Sequence, residues 1–434
     1  MSTVAAISTA QGAGGISVIR MSGESALAIT AKIFSGAKSP FEFEPNKMYL
    51  GKLTGDGFVE RAFCVYFKAP RSYTGEDIVE FHCHGGKLLS RTILNLLIKN
   101  GAEPADRGEF TRRAFLNGKM KLSDAEGVID MINADSEAAL KSASREMTGE
   151  LAATVTGLQD KLTDVLSAIG GALDYPEELE ESVTEEVPQQ LKTVLDWIDK
   201  LIGSGKGLLV KDGARIAIVG EPNVGKSSLL NRILGRERAI VTDIAGTTRD
   251  VVEDAVEYKG RKFVFSDTAG IRESTDKVEK IGIERSLKTA DDADIVLILS
   301  DASTPGSSLD SGISDKFSEK PHICVLTKAD KGITGDRQGI AVSSVTGEGI
   351  EKLLDEIYLM TEGTGDEVTS LRHSEALKAA RTALVSAIEN WNKIPMDLSE
   401  VDIKAAWNKL GEITGATANE EIIGRIFENF CVGK

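Results

Sequence analysis

Eight residues, Gly220-Glu221-Pro222-Asn223-Val224-Gly225-Lys226-Ser227, fit the spacing G-x-x-x-x-G-K-S. An apolar stretch (216–219) precedes them and a helical one (228–234) follows, which is the strand–turn–helix order phosphate binding requires. Glycines in such a turn let main-chain N–H groups face phosphate oxygens, and the helix N-terminus adds a favourable dipole. Lys226 can reach the β- and γ-phosphates, and Ser227 can ligate Mg2+. Val224, Gly225 and Ser228 complete the expected contacts of this loop.

Further elements at the right spacing narrow the ligand to a guanine nucleotide. Asp267-Thr268-Ala269-Gly270 follows the strand-like 262–265, where an Asp can hold the Mg2+ shell and a Gly N–H can sense the γ-phosphate. Thr327-Lys328-Ala329-Asp330 follows the apolar 322–326. Asp330 can accept from the N1–H and N2–H2 of guanine, donors that adenine lacks. The usual motif has Asn where Thr327 stands. A hydroxyl offers fewer hydrogen bonds than a carboxamide, so weaker nucleotide affinity is expected, with guanine choice kept by Asp330. Ser343-Ser344-Val345 occupies the place of a loop whose backbone contacts the guanine carbonyl.

The run Thr242-Asp243-Ile244-Ala245-Gly246-Thr247-Thr248-Arg249-Asp250 lies in the switch I slot. Thr248 is the expected second Mg2+ ligand when the γ-phosphate is present. The residue after the D-x-x-G run is Ile271. Ras-like enzymes keep there a Gln that orients the attacking water, and an isoleucine can neither donate nor accept. Asn223 in the phosphate loop and the switch I run resemble those of a G-protein subgroup that uses a potassium ion as a charge clamp. The Asn223 side chain, the backbone carbonyls of Thr242 and Ile244, and Thr247 would supply the oxygens, and the ion would act as an arginine finger does elsewhere.

The elements that must position these groups follow from periodicity. From residue 215 strands and helices alternate, the pattern of a parallel α/β sheet. Before it, the first ~120 residues read as α+β, with strands over 3–7, 16–20, 61–67 and 77–82 and helices over 23–34 and 87–99. Between the two, Leu151, Val155, Leu158, Leu162, Leu166 and Ile169 recur three or four apart on one helix face. A second helix surrounds Trp197, and the acidic 177–186 reads as a solvated connection. Helical sequence returns over 376–391, 401–410 and 420–430. We expect the helical flanks to form one discontinuous domain with the α/β domain inserted, although periodicity alone also permits two bundles. The expected spans are 1–118, 119–212, 213–365 and 366–434.

Composition bounds the function classes. The chain has 434 residues and a formal net charge of −16, which argues against binding nucleic acid through its overall field. A local basic patch could still serve. No apolar run approaches the ~20 residues that span a bilayer, and the N-terminus lacks a basic segment followed by an apolar core. The cysteines Cys64, Cys83, Cys324 and Cys431 form no CxxC pair, so a reduced, cytoplasmic protein is expected. His82 and His84 would share one strand face with Cys83 on the other, too few ligands for a metal site.

The motifs extend beyond a generic G domain. They include Thr74-Gly-Glu-Asp-Ile-Val-Glu80 with His84-Gly85-Gly86, and the run 107–119 (Arg-Gly-Glu-Phe-Thr-Arg-Arg-Ala-Phe-Leu-Asn-Gly-Lys). To these are added 220–230, 243–250, 267–272 and Cys431-Val432-Gly433-Lys434. In these the chain resembles the tRNA modification GTPase MnmE (TrmE) family along essentially its whole length. The resemblance implies a multidomain α+β and α/β fold: an N-terminal folate-binding-like α+β domain, a discontinuous helical domain and an inserted P-loop, Ras-like G domain. It implies homodimerisation through the N-terminal domains, G domains that meet when GTP and K+ are bound, and a heterotetramer with an FAD/NADH-dependent subunit, MnmG (GidA). Together the two would place an aminomethyl or carboxymethylaminomethyl group on C5 of the wobble uridine of tRNAs, with a tetrahydrofolate one-carbon unit.

Residue by residue, the resemblance makes Glu279 the water-orienting carboxylate that compensates for Ile271. It assigns Arg20, Glu80, Lys119 and Lys434 to 5-formyl-tetrahydrofolate, where a carboxylate can accept from the pterin edge and cations suit the glutamyl tail. Cys431 has three readings. The C-a-a-X outline is spoiled by Gly433 and Lys434; a buried structural role is ordinary; the resemblance puts the thiol near the folate site with a chemical role, for which the thiolate is the reactive form. A ribosome-assembly GTPase would share the G-domain motifs but lack the folate-like N-terminus and the C-x-G-K end. A folate-dependent one-carbon enzyme regulated by its G domain is the third reading.

Overall fold

The structure, a computed structural model, describes residues 2–10, 12–236, 238–239, 254–266, 290–305, 317, 320–363 and 367–434. The chain divides into two compact units: Met1–Ile129, Arg145–Asp164 and Trp407–Lys434 in the first, Asp130–Ser144 and Val165–Ala406 in the second.

The first unit holds a sheet of β1 (Val4–Ile7), β2 (Ile16–Ser22), β3 (Phe34–Gly36), β4 (Met48–Gly55), β5 (Phe58–Phe67), β6 (Ile78–His84) and β7 (Glu103–Pro104). Their spatial order is β3-β4-β5-β6-β2-β1-β7. Alternation along the strands turns Ile19, Met21, Ala62, Cys64, Val79 and Phe81 into one core, closed by Ile29, Ile33, Ile93 and Leu97 of the helices Ala26–Ile33 and Lys87–Lys99. The same alternation puts Arg20, Glu80, His82 and His84 on the opposite face. Strand β4 has no counterpart in the sequence reading: Gly51 and Gly55 dilute its β-branched character. The helices Glu109–Leu116 and Leu122–Asn133 meet Glu420–Glu428, with Leu122, Ala125, Ile426, Phe427 and Phe430 buried together.

The second unit is built on β8 (Ala214–Gly220), β9 (Arg238–Ala239), β10 (Asp254–Tyr258), β11 (Arg261–Ser266), β12 (Ile295–Asp301), β13 (His322–Thr327) and β14 (Ile340–Ala341), in the order β14-β13-β12-β8-β11-β10-β9. Strands β14, β13, β12, β8 and β11 are parallel, and β10 runs antiparallel to both its neighbours. Both faces are covered, as a parallel sheet requires. Ile216 and Ile218 pack with Leu229, Leu230 and Ile233 of the helix Lys226–Arg236 and with Leu353 and Leu354 of the helix Ile350–Met360. On the other face Ala217 and Val219 meet Ala290, Ala293 and Phe317.

The helical flanks of the α/β sequence pack against each other within this unit. Trp391 of one donates its Nε1–H to the Thr184 carbonyl of the other at 3.0 Å, and Arg381 pairs with Asp199 at 2.6 Å. This corrects one expectation: residues 177–186 are not a connection but part of the helix Pro176–Ile202. Pro176 is tolerated in the first turn, Glu177 and Glu178 complement the N-terminal dipole, and Val183 and Val187 begin a buried stripe continued by Leu191, Val194 and Ile198. Where the chain enters and leaves the sheet, buried Glu367 accepts from Ser204 N and Oγ, both at 3.0 Å, and from Gly207 N at 2.7 Å. The turn between β10 and β11 is held by the Lys262–Asp135 ion pair at 2.6 Å and by Ala138 N–H donating to Gly260 O at 2.8 Å.

Candidate nucleotide site

Parallel strands bring their carboxyl ends to one edge of the sheet, the place where open α/β sheets bind ligands. Here β8 ends at Gly220, β13 at Thr327 and β14 at Ala341, so all three described recognition runs leave the same edge. Gly220 (φ +155°) and Gly225 (φ +101°) have backbone angles that side chains rarely adopt, and a Cβ on Gly220 would lie 2.4 Å from the Leu299 carbonyl oxygen. The Lys226 ammonium donates to the carbonyls of Gly220 and Glu221, each at 2.8 Å. Burial pushes its pKa down, against an upward pull from Glu221. A desolvated cation facing a turn of this shape suits a polyphosphate. Ser227 and Ser228 open the helix Lys226–Arg236.

The guanine run is tied to the phosphate loop. Thr327, 2% exposed, places its hydroxyl 2.5 Å from Val224 O and 3.1 Å from Ser300 O. Lys328 donates to Asn223 O and to Asp301 Oδ2, both at 2.7 Å. Asn223 itself is exposed, with φ +62°. Asp330 is exposed and its Oδ1 accepts from Ser343 Oγ at 2.6 Å. Ser343 is buried, whereas Val345 is 79% exposed at the tip of its loop, with Ser344 between them. The arrangement can therefore hold a phosphate chain and a base with paired N–H donors on one edge. The Thr327 hydroxyl has its protein partners in the Val224 and Ser300 carbonyls. Thr242, Asp243, Ile244, Ala245, Gly246, Thr247, Thr248, Asp267, Thr268, Ala269, Gly270 and Glu279 lie outside the described residues.

In the first unit Arg20 and Glu80 are direct partners across β2 and β6, with Arg20 Nε donating to Glu80 Oε1 at 2.8 Å. The Arg20 guanidinium also lies 5.6 Å from the Tyr73 ring and 5.5 Å from the Phe110 ring. Phe110 N–H donates to Lys434 O at 3.1 Å, and the Lys119 ammonium to Pro70 O at 2.9 Å. The loop Pro70–Glu76 and the start of the helix Glu109–Leu116 thus gather the four residues assigned to folate. Glu80 Oε2 is 3.3 Å from His82 Nε2, and His84 Nδ1 is 2.6 Å from Glu60 Oε1. Among the described residues no group of three or more His, Cys, Asp or Glu is arranged to hold a metal ion. Cys431 is exposed, while burial pushes the Cys83 thiol up to about 11 and the Cys64 thiol higher still.

Sequence reasoning missed Asp301, which holds Lys328, and His82 and Tyr73, which touch the Arg20–Glu80 pair. For Asp301 a signal existed: an acidic residue closing the apolar run Ile295–Asp301 marks the carboxyl end of a buried parallel strand.

Comparison with known proteins agrees with this architecture. A family model for the GTP-binding protein TrmE N-terminus matches residues 3–119, and one for the MnmE helical domain matches 122–431. The chain is similar to the tRNA modification GTPase MnmE of Thermotoga sp. (strain RQ2), 40% identical over 454 residues with 100% of both chains covered. It is equally similar to that of Clostridioides difficile (strain 630), 40% identical over 456 residues, covering 100% of this chain and 99% of the relative. Among solved structures it is similar to a variant of Aquifex aeolicus Era bound to GDP.AlF4-, at 29% identity, with 39% of this chain and 66% of that chain covered and a TM-score of 0.27. Among the described residues no helix is long and apolar enough to cross a membrane. With both ends and the middle of its sequence matched, the chain belongs to the MnmE family of tRNA modification GTPases.

Proposed function

We propose that this GTP hydrolase of tRNA modification binds GTP at the carboxyl edge of β8, β13 and β14, and that K+-dependent hydrolysis there drives modification of the wobble uridine. The observation that carries the reading is the double tie between base loop and phosphate loop, Thr327 to Val224 and Lys328 to Asn223. It makes one preformed site of two runs separated in sequence by about a hundred residues.

In this reading Lys226 binds the β- and γ-phosphates, and Asp330 accepts from the guanine edge. Ser227 and Thr248 hold Mg2+, whose charge stabilises the phosphate chain. Asn223, Thr242, Ile244 and Thr247 hold K+. Asp267 and Gly270 read the Mg2+ shell and the γ-phosphate, and Glu279 orients water in place of the Gln that Ile271 replaces. The protein's own task is positioning and charge stabilisation, because phosphoryl transfer needs little covalent help.

Arg20, Glu80, Lys119 and Lys434 receive a tetrahydrofolate such as the 5-formyl form, with Arg20 and His82 fixing the Glu80 carboxylate toward the pterin. Homodimerisation is favoured by Met48, Leu50, Val59 and Phe63, exposed on the sheet face opposite the helices Ala26–Ile33 and Lys87–Lys99. The spans 1–118, 119–212, 213–365 and 366–434 are the proposed domains, and an FAD-dependent partner subunit, MnmG, completes the modifying complex in the cytoplasm. Hydrolysis of GTP in potassium against sodium tests the ion reading. A rate in K+ at least roughly tenfold that in Na+ is expected, and equal rates would remove K+ from the account.

A further inference from the structure

Asp301 closes β12 and lies beside Thr327, the last residue of β13. Both its carboxylate oxygens are engaged. Oδ1 accepts from Ser303 N at 2.9 Å and from Ser303 Oγ at 2.6 Å, while Oδ2 accepts from the Lys328 ammonium at 2.7 Å. Its main chain is pinned as well: Arg337 donates to Asp301 O at 2.8 Å, and Ala302 N–H donates to Thr327 O at 2.8 Å. Burial alone would raise the Asp301 carboxyl, but the bonds from Lys328 and Ser303 outweigh it and hold the group at about 2. It is an anion throughout the neutral range.

On the other side of Lys328 stands the phosphate loop. The same ammonium donates to Asn223 O at 2.7 Å. Lys328 (φ +56°) and Asn223 (φ +62°) are both non-glycine residues in the left-handed region. Such conformations persist where surrounding contacts over-determine them. A lysine side chain is long and loses much rotamer freedom when fixed, a cost that falls on ligand binding unless the free protein has already met it. Asp301 meets it here: the ammonium is anchored between one anion and one carbonyl, which leaves the apolar stem of Lys328 in a fixed place to cover a flat base.

We propose that Asp301 is a positioning residue for guanine-nucleotide binding, setting Lys328 and, through it, the main chain of Asn223 in the binding arrangement. The proposal rests on the nucleotide reading of this edge given above, and it separates Asp301 from an ordinary strand-end carboxylate by where its effect is felt. The test is a double-mutant cycle on the full chain with a fluorescent GDP analogue: wild type, Asp301→Asn, Lys328→Met and the double variant, each also followed by thermal unfolding.

Loss of a charge-assisted bond predicts that Asp301→Asn weakens GDP binding roughly tenfold. Lys328→Met should cost at least as much, and the double variant no more than about twofold beyond Lys328→Met, because partners in one network are not additive. An unchanged GDP affinity in Asp301→Asn, or a double variant whose loss is the product of the single losses, would overturn the proposal. Should Asp301→Asn not fold, Asp301→Glu keeps the charge, displaces the oxygen that meets Lys328, and is read in the same way. A wild-type chain that does not bind the GDP analogue overturns the nucleotide reading and the proposal together; wild-type binding with an additive cycle overturns the proposal alone.

Discussion

Replacing Thr327 by Val exchanges a buried hydroxyl for a methyl at the point where the base loop meets the phosphate loop. The two side chains share their branching, but a methyl cannot approach a carbonyl oxygen as closely as a hydroxyl does, so the Val224 carbonyl is also pushed away. What is lost is the donor serving Val224 O at 2.5 Å and Ser300 O at 3.1 Å. One hydroxyl proton makes one full hydrogen bond at a time, and the shorter distance gives it mainly to Val224. A bond of this kind contributes about 1–1.5 kcal/mol net, and about 1.4 kcal/mol is a tenfold change in an equilibrium constant. With the loss falling on the phosphate loop, the dissociation constant for GDP should rise roughly five- to tenfold, measured with a fluorescent analogue. Thr327→Ser supplies the contrast. It keeps the hydroxyl and deletes a buried methyl, so it should lower the melting temperature by about 2–4 °C per kcal/mol lost yet leave GDP affinity within about twofold. Wild-type affinity in Thr327→Val, or an equal loss in Thr327→Ser, would refute the tie between the loops.

Three further outcomes are expected. Glu279→Ala should keep GDP affinity and slow hydrolysis by about a hundredfold or more, the usual scale for a lost general base or water-orienting group; unchanged turnover in a single-turnover assay would remove Glu279 from its role. The folded-state pKa of Asp301, about 2, lies below its ordinary 3.8, so its contribution is complete above 3.8 and is lost only as pH falls toward 2. The gap in GDP affinity between wild type and Asp301→Asn should therefore be flat from about pH 5 to 8, and a slope in titrations across that range would contradict the assignment. Glu367→Gln weakens bonds to Ser204 and Gly207 at the entry to the sheet and should lower the melting temperature, by calorimetry, with GDP affinity unchanged; a loss of affinity would show that this junction also shapes the site.

The parts of the site that could be read from sequence are those whose chemistry is local. Gly220, Gly225, Lys226 and Ser227 lie within one turn, and their spacing carries the backbone geometry later seen in the positive φ of both glycines. Asp330 was equally legible, since its run follows directly on an apolar strand. Asp301 was legible only as a strand end; its tie to Lys328, 27 residues away, arises through the parallel pairing of β12 with β13. The place of Thr327 was legible in the same way, but its bond to Val224 was not, because that contact is set by the fold. In the first unit the facing of Arg20 and Glu80 follows from the register of β2 against β6, which pairs residues 60 apart and is not visible in local spacing. The acidic 177–186 misled because charge dominated its composition, while two valines four apart carried the helix.

Whether nucleotide hydrolysis at this edge powers a tRNA modification can be read in the tRNA itself. Nucleosides from cells lacking the chain, complemented either by the wild-type protein or by Lys226→Ala, can be compared by mass spectrometry. Wobble uridines should lose their C5 substituent without the protein, regain it with the wild type, and stay unmodified with Lys226→Ala. Full modification restored by Lys226→Ala, or wobble uridines unaltered when the protein is absent, would contradict this reading.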